Sequence, residues 1–157
     1  MAYVLQAVIA DDRVLRTAAR DLPAARPAPL AQGLSLMPLT DALRDALAGG
    51  DNAGTEGFWR LPAGLAGAAS AWSATGPVAY VEAEYFGGTG EQHAVVWDRG
   101  ALALGPLHVE EGQSTPAVGS PISQALRRLG VVVGGGDEDE FAAVGLGRRR
   151  STSAWLA

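Results

Sequence analysis

VAYVEAEYFGGTGEQHAVVWD, residues 78–98, decides the fold of this chain. Two runs rich in valine and aromatic residues flank the cluster Gly87-Gly88-Thr89-Gly90. Such residues suit the pleated, packed surface of a strand, and a glycine-rich break between two such runs reads as a hairpin turn. PVAYVEAEYF (77–86) and EQHAVVWD (91–98) are therefore expected to pair. Residues two apart on a strand share a face. Val78, Tyr80, Glu82, Glu84 and Phe86 then line one side, and Ala79, Val81, Ala83 and Tyr85 line the other. The second side is small and apolar, as packing under helices requires. The first mixes aromatics with two carboxylates and reads as a half-solvated sheet face. A turn symmetric about Gly88-Thr89 puts Glu84 opposite His93, Glu82 opposite Val95 and Tyr80 opposite Trp97. In that register a Glu84–His93 pair raises the His93 pKa.

Outward from the hairpin, AYVLQAVIA (2–10) is a short β-branched run ending at Asp11-Asp12, and reads as a buried strand. Residues 12–22 place Val14, Leu15, Ala18, Ala19 and Leu22 on one helical face. PAARPAP (23–29) is a loop, because proline removes backbone donors. LSLM (34–37) reads as a strand, and Thr40 caps a helix that carries Leu43 and Leu47 and stops at Gly49-Gly50. Pro62 suits the first turn of a helix through Leu65, Ala69 and Trp72. ALAL (101–104) and PLHVEE (106–111) extend the sheet. Ser120-Pro121 opens a helix through Ile122, Leu126 and Leu129, and DEDE (137–140) starts a last short one. Strands and helices mix early, a hairpin lies in the middle and helices come late. The expected class is α+β, with a mainly antiparallel central sheet packed with several short helices. The length of 157 residues fits a single globular domain over 1–157, with a flexible loop at 49–57 and a flexible tail at 147–157.

Composition removes several kinds of chemistry. There is no cysteine, which excludes disulfides, thiol catalysis and cysteine-bound zinc, and fits a cytoplasmic protein. All twelve cationic residues are arginine, so no P-loop lysine is available to GGTG. The run after GGTG is strand-like, where a dinucleotide fingerprint needs a helix. Gly134-Gly135-Gly136 runs into DEDE, whose charge repels phosphate. No Gly-x-Ser-x-Gly elbow occurs. His93 and His108 with neighbouring glutamates are the one conceivable metal set, but no ligand spacing supports it, and no cofactor is expected. Glu82 and Glu84 stand roughly 7 Å apart on one strand, so they do not flank a substrate as a glycosidase pair does. The net charge of −5 gives no pull toward nucleic acid or anionic membrane, and three arginines in GRRRS (147–151) do not reverse that. A basic protein partner fits the charge better. The opening MAYVLQAVIADD lacks a basic leader, and no apolar run approaches the roughly 20 residues of a membrane span.

AYVEAEYFGGTGEQHAVVW followed by GSPISQALRRLGV resembles small bacterial proteins in which a Tyr-Phe-Gly-Gly hairpin precedes a Ser-Pro-initiated amphipathic helix, a group associated with immunity partners of secreted polymorphic toxins. The resemblance covers roughly residues 78–130 and carries no catalytic motif. It implies a cytoplasmic, catalytically inert, acidic protein that neutralises a toxin by protein–protein contact. Tyr80, Glu82, Glu84, Phe86 and Trp97 are then the candidate partner-binding residues. The alternatives are a small-molecule-binding or regulatory domain and, further off, a glutamate-dependent hydrolase.

Overall fold

Residues 78–98 form the expected hairpin in the computed structural model, which describes residues 2–47, 63–87 and 89–156. The class is α+β. Strands β1 (Ala2–Asp11), β2 (Ala28–Pro29), β3 (Leu34–Pro38), β4 (Val78–Phe86), β5 (Thr89–Asp98) and β6 (Ala101–Val109) make one sheet in the order β2-β3-β1-β4-β5-β6. Every neighbouring pair is antiparallel. Around it stand α1 (Asp12–Ala19), α2 (Asp41–Leu47), α3 (Ala63–Trp72), α4 (Pro121–Arg128) and α5 (Glu140–Val144). The expected helix stop at Gly49-Gly50, the 49–57 loop and Pro62 lie outside the described residues. Among the described residues no helix is long and apolar enough to cross a membrane.

Short polar residues set the helix starts. Arg13 N–H donates to Asp11, Leu43 N–H to Thr40, Ser123 N–H to Ser120 and Ala142 N–H to Asp139. Each bond satisfies a backbone donor that the helix itself cannot. Pro121 follows Ser120 in the first turn of α4, where its missing N–H costs nothing.

Helices cover both faces of the sheet, whereas antiparallel sheets commonly leave one face to water. On one side Val8, Ala10, Tyr80, Val95 and Trp97 pack with Val14 and Leu15 of α1, Leu43 of α2, and Leu65 and Ala69 of α3. On the other, Leu5, Ile9, Val81 and Ala94 pack with Ile122 and Leu126 of α4. The Val78–Ala83 segment of β4 is buried throughout. The face of Tyr80 and Glu82, expected to be half-solvated, is therefore interior along most of its length. Tyr80 is covered because α1, α2 and α3 pack on the apolar residues of this face, and Glu82 is buried beside it.

The hairpin register differs from expectation by two residues. Glu84 stands opposite Glu91, Glu82 opposite His93, Tyr80 opposite Val95 and Val78 opposite Trp97. Phe86 pairs with Thr89, so just two residues lie between the strands. Gly87 has φ +61°, and glycine adopts that left-handed conformation without the Cβ clash, as two-residue hairpin turns require. Thr89 Oγ1 donates to the Phe86 carbonyl at 3.2 Å. Gly90 belongs to the strand and not to the turn, and a Cβ there would run into the Glu84 carbonyl oxygen. Because the slip is even, every side chain keeps its expected face.

The carboxy-terminal segment, expected as a flexible tail, is packed on β1. Val4 N–H donates to the Arg150 carbonyl at 2.9 Å, Gln6 N–H to Thr152 Oγ1 at 3.0 Å, and Tyr3 Oη to the Leu146 carbonyl at 2.9 Å. Trp155 is buried, with the Arg148 guanidinium 5.6 Å from its ring centroid. In the DEDE run, Glu140 pairs with Arg127 of α4 at 3.3 Å.

Candidate functional site

Toward the hairpin tip, the face covered by α1, α2 and α3 changes from apolar to polar. The register aligns Gln6, Glu82, His93 and His108 in one row across β1, β4, β5 and β6. Adjacent to it, Val4, Glu84 and Glu91 form a second row across β1, β4 and β5. Five acidic or imidazole groups, Glu82, Glu84, Glu91, His93 and His108, thus meet on this part of the face.

The first row is buried at three of its four places. Glu82 has no accessible surface and His93 has 2%, while Gln6 is also buried and His108 is exposed. The Tyr80 hydroxyl donates to Glu82 Oε1 at 3.2 Å, and Thr152 Oγ1 donates to Gln6 Oε1 at 3.3 Å. The His93 and His108 rings stack at 3.9 Å between centroids, with planes 11° apart. His108 Nε2 lies 3.0 Å from Glu91 Oε2, and His93 Nε2 lies 3.9 Å from the same oxygen. Burial, and then the neighbouring His108, push the His93 pKa down to about 4. That reverses the expected rise, because the anticipated Glu84–His93 pair does not form and desolvation penalises the charged ring.

His108 reaches His93 through irregularities in β6. Asp98 pairs with Ala101 beside the turn, and uninterrupted counting from there would put Pro106 opposite His93. The register shifts between Ala94 and Val96 and again between Val96 and Trp97, which delivers His108 instead. Gly105, at φ +84°, makes this possible: a Cβ there would come within 2.7 Å of the Ala94 carbonyl oxygen. The Glu91-x-His93 alternation on one face was legible in the sequence. His108 was named with them as a conceivable ligand, but its approach to His93 was not legible, since nothing in the composition marks a bulge of this kind.

Of the expected partner-binding residues, Tyr80, Glu82 and Trp97 lie inside the fold. Glu84 is half-buried and Phe86 is 57% exposed. The tip thus presents Phe86 and Glu84, and the other three are interior, with Trp97 at the far end of the hairpin opposite Val78. Thr89 Oγ1 also lies 3.3 Å from Glu111 Oε1, which ties the chain just after β6 to the tip. On the opposite face, Tyr3, Tyr85, Gln92, Phe141 and Arg150 line a cleft of about 460 Å³. Burial raises the pKa of Tyr85 there.

Comparisons with protein-family models, with curated proteins and with solved structures return no match for this chain. Function is therefore argued from the geometry and from the sequence pattern.

Proposed function

We propose that this chain is a non-catalytic, cytoplasmic binding protein of the immunity type, which neutralises a basic toxin by occupying its surface. The observation that carries the reading is the hairpin tip, where the exposed aromatic Phe86 sits among carboxylates. From Pro77 to Leu126 the sequence holds six acidic residues (Glu82, Glu84, Glu91, Asp98, Glu110 and Glu111) and a single cation, Arg99. Asp98 and Arg99 both lie at the far end of β5, away from the tip, where Glu84, Glu91 and Glu111 remain. A large aromatic within an acidic rim suits a basic surface: the ring supplies contact area, and the charge speeds encounter. Glu82 has no accessible surface, which counts against its use as a hydrolytic acid or base. Ligand binding in the cleft beside Tyr85 is the second reading, favoured by the pairing of tyrosines with Arg150 there.

The test is co-expression and pull-down with the product of the adjacent gene where that product is toxic. Rescue and capture are expected, with Phe86→Ala weakening capture at least about tenfold, as truncation of an interface anchor does. Capture should also weaken as salt rises. A toxic neighbour that this protein neither binds nor neutralises would overturn the proposal.

A further inference from the structure

We propose that Glu91, His93 and His108 form a binding site for a divalent transition-metal ion of the zinc class. The three side chains offer two imidazole nitrogens and a carboxylate oxygen, all within 4.8 Å of one another. This donor set suits zinc and its first-row neighbours; calcium and magnesium take oxygen ligands. The inference stands independently of the toxin-binding reading, because it rests on ligand chemistry and not on the exposed tip.

Two features of the sheet support it. Strand alternation puts Glu91 and His93 on one face, and the bulged β6 brings His108 directly opposite His93, so the ligands sit on paired strands and not on loops. Glu84 stands opposite Glu91, and Glu82 opposite His93. Like charges directly opposite in a ladder are unfavourable, and a cation on Glu91 removes that repulsion.

The geometry also states what binding must change. Tetrahedral zinc, with bonds of about 2.0–2.1 Å, holds its ligand atoms roughly 3.3 Å apart. The Glu91–His108 separation of 3.0 Å is close to this, and the Glu91–His93 separation of 3.9 Å must shorten. One ion cannot lie in the planes of two parallel rings, so the stack must open. His93 is enclosed, whereas the His108 and Glu91 side chains are 34% and 30% exposed and have room to turn. Loading therefore tilts His108 about a fixed His93 and leaves at least one coordination position for water or another ligand.

The full chain, stripped with chelator, should bind one equivalent of Zn²⁺ in calorimetry and melt at a higher temperature in its presence. His108→Ala and Glu91→Gln alter half-exposed side chains, so the apo proteins should fold. Each should bind Zn²⁺ at least about tenfold more weakly, since even an outer-shell partner is worth that much. The chain has two histidines, so both imidazole NMR signals can be followed, and both should shift as Zn²⁺ is added. Absence of binding, affinity unchanged in the two variants, a shift confined to His108, or equal binding of Mg²⁺ would each overturn the site.

Discussion

Glu84 stands directly opposite Glu91 across the β4–β5 ladder, carboxylate facing carboxylate on the same side of the sheet. Both side chains are partly open to solvent, so their repulsion is screened but present. Glu84→Lys exchanges a like-charge pair for an opposite-charge one and should stabilise the apo protein by roughly 0.2–1 kcal/mol. Urea denaturation at low ionic strength should show the gain, and it should shrink in high salt. A loss of stability at low salt would mean that the two side chains do not interact as their register implies.

The packed terminal segment gives a second prediction. Tyr3 is buried and its hydroxyl donates to the Leu146 carbonyl at 2.9 Å, and burial raises its pKa so that it keeps its proton. Tyr3→Phe preserves the ring and its tilted contact with Phe141, but leaves the carbonyl without that donor. The expected cost is about 1–3 kcal/mol, measured by chemical denaturation with tryptophan fluorescence as the signal. An unchanged midpoint would show that water replaces the hydroxyl.

The junction between β1 and α1 predicts a pH dependence. Ser35 Oγ donates to Asp12 Oδ1 at 2.5 Å, and Arg16 Nε donates to Oδ2 at 2.6 Å. The Ser35 bond first, and then Arg16, outweigh partial desolvation and hold the Asp12 pKa below its usual value. A folded-state pKa lower than the unfolded one contributes stability above the unfolded pKa of about 3.9, and that stability is lost as pH falls through the folded value. Ser35→Ala should therefore cost about 0.5–1.5 kcal/mol near neutral pH, at the lower end because Asp12 is over a third exposed. The difference between wild type and variant should narrow as pH falls through the lowered folded-state pKa and the carboxylate takes up its proton. A difference that does not change with pH would remove the charged acceptor from the account.

Much of the architecture was legible in the chain because its cues are local. Alternation in 78–86 assigned the faces of β4, and Thr40, Ser120-Pro121 and the DEDE run marked helix starts, which bonds from Thr40, Ser120 and Asp139 to backbone groups three residues on explain. The hairpin itself followed from β-branched runs around glycine. What local cues do not encode is depth. The pattern at Tyr80, Glu82 and Trp97 reads the same whether that face meets water or helices, and the distant α1, α2 and α3 decided for helices. The carboxy-terminal segment is a similar case, since its polar, arginine-rich composition suggests a solvated tail and its bonds to β1 span over 140 residues.

By itself the sequence determined most element types, the α+β class and the side of the sheet on which each residue of β4 lies, because each follows from backbone periodicity and turn chemistry within a few residues. By contrast, β2 (Ala28–Pro29) lies in the stretch expected as a loop and is a strand through its pairing with β3. The tertiary structure alone decided the partners. Pairing Phe86 with Thr89 moved His93 from Glu84 to Glu82, and the two register shifts along β6, one of them at Gly105, carried His108 to His93. Both depend on where backbone groups of different strands come into register. That is a property of the assembled sheet, and it turned two separate histidines and a glutamate into one site.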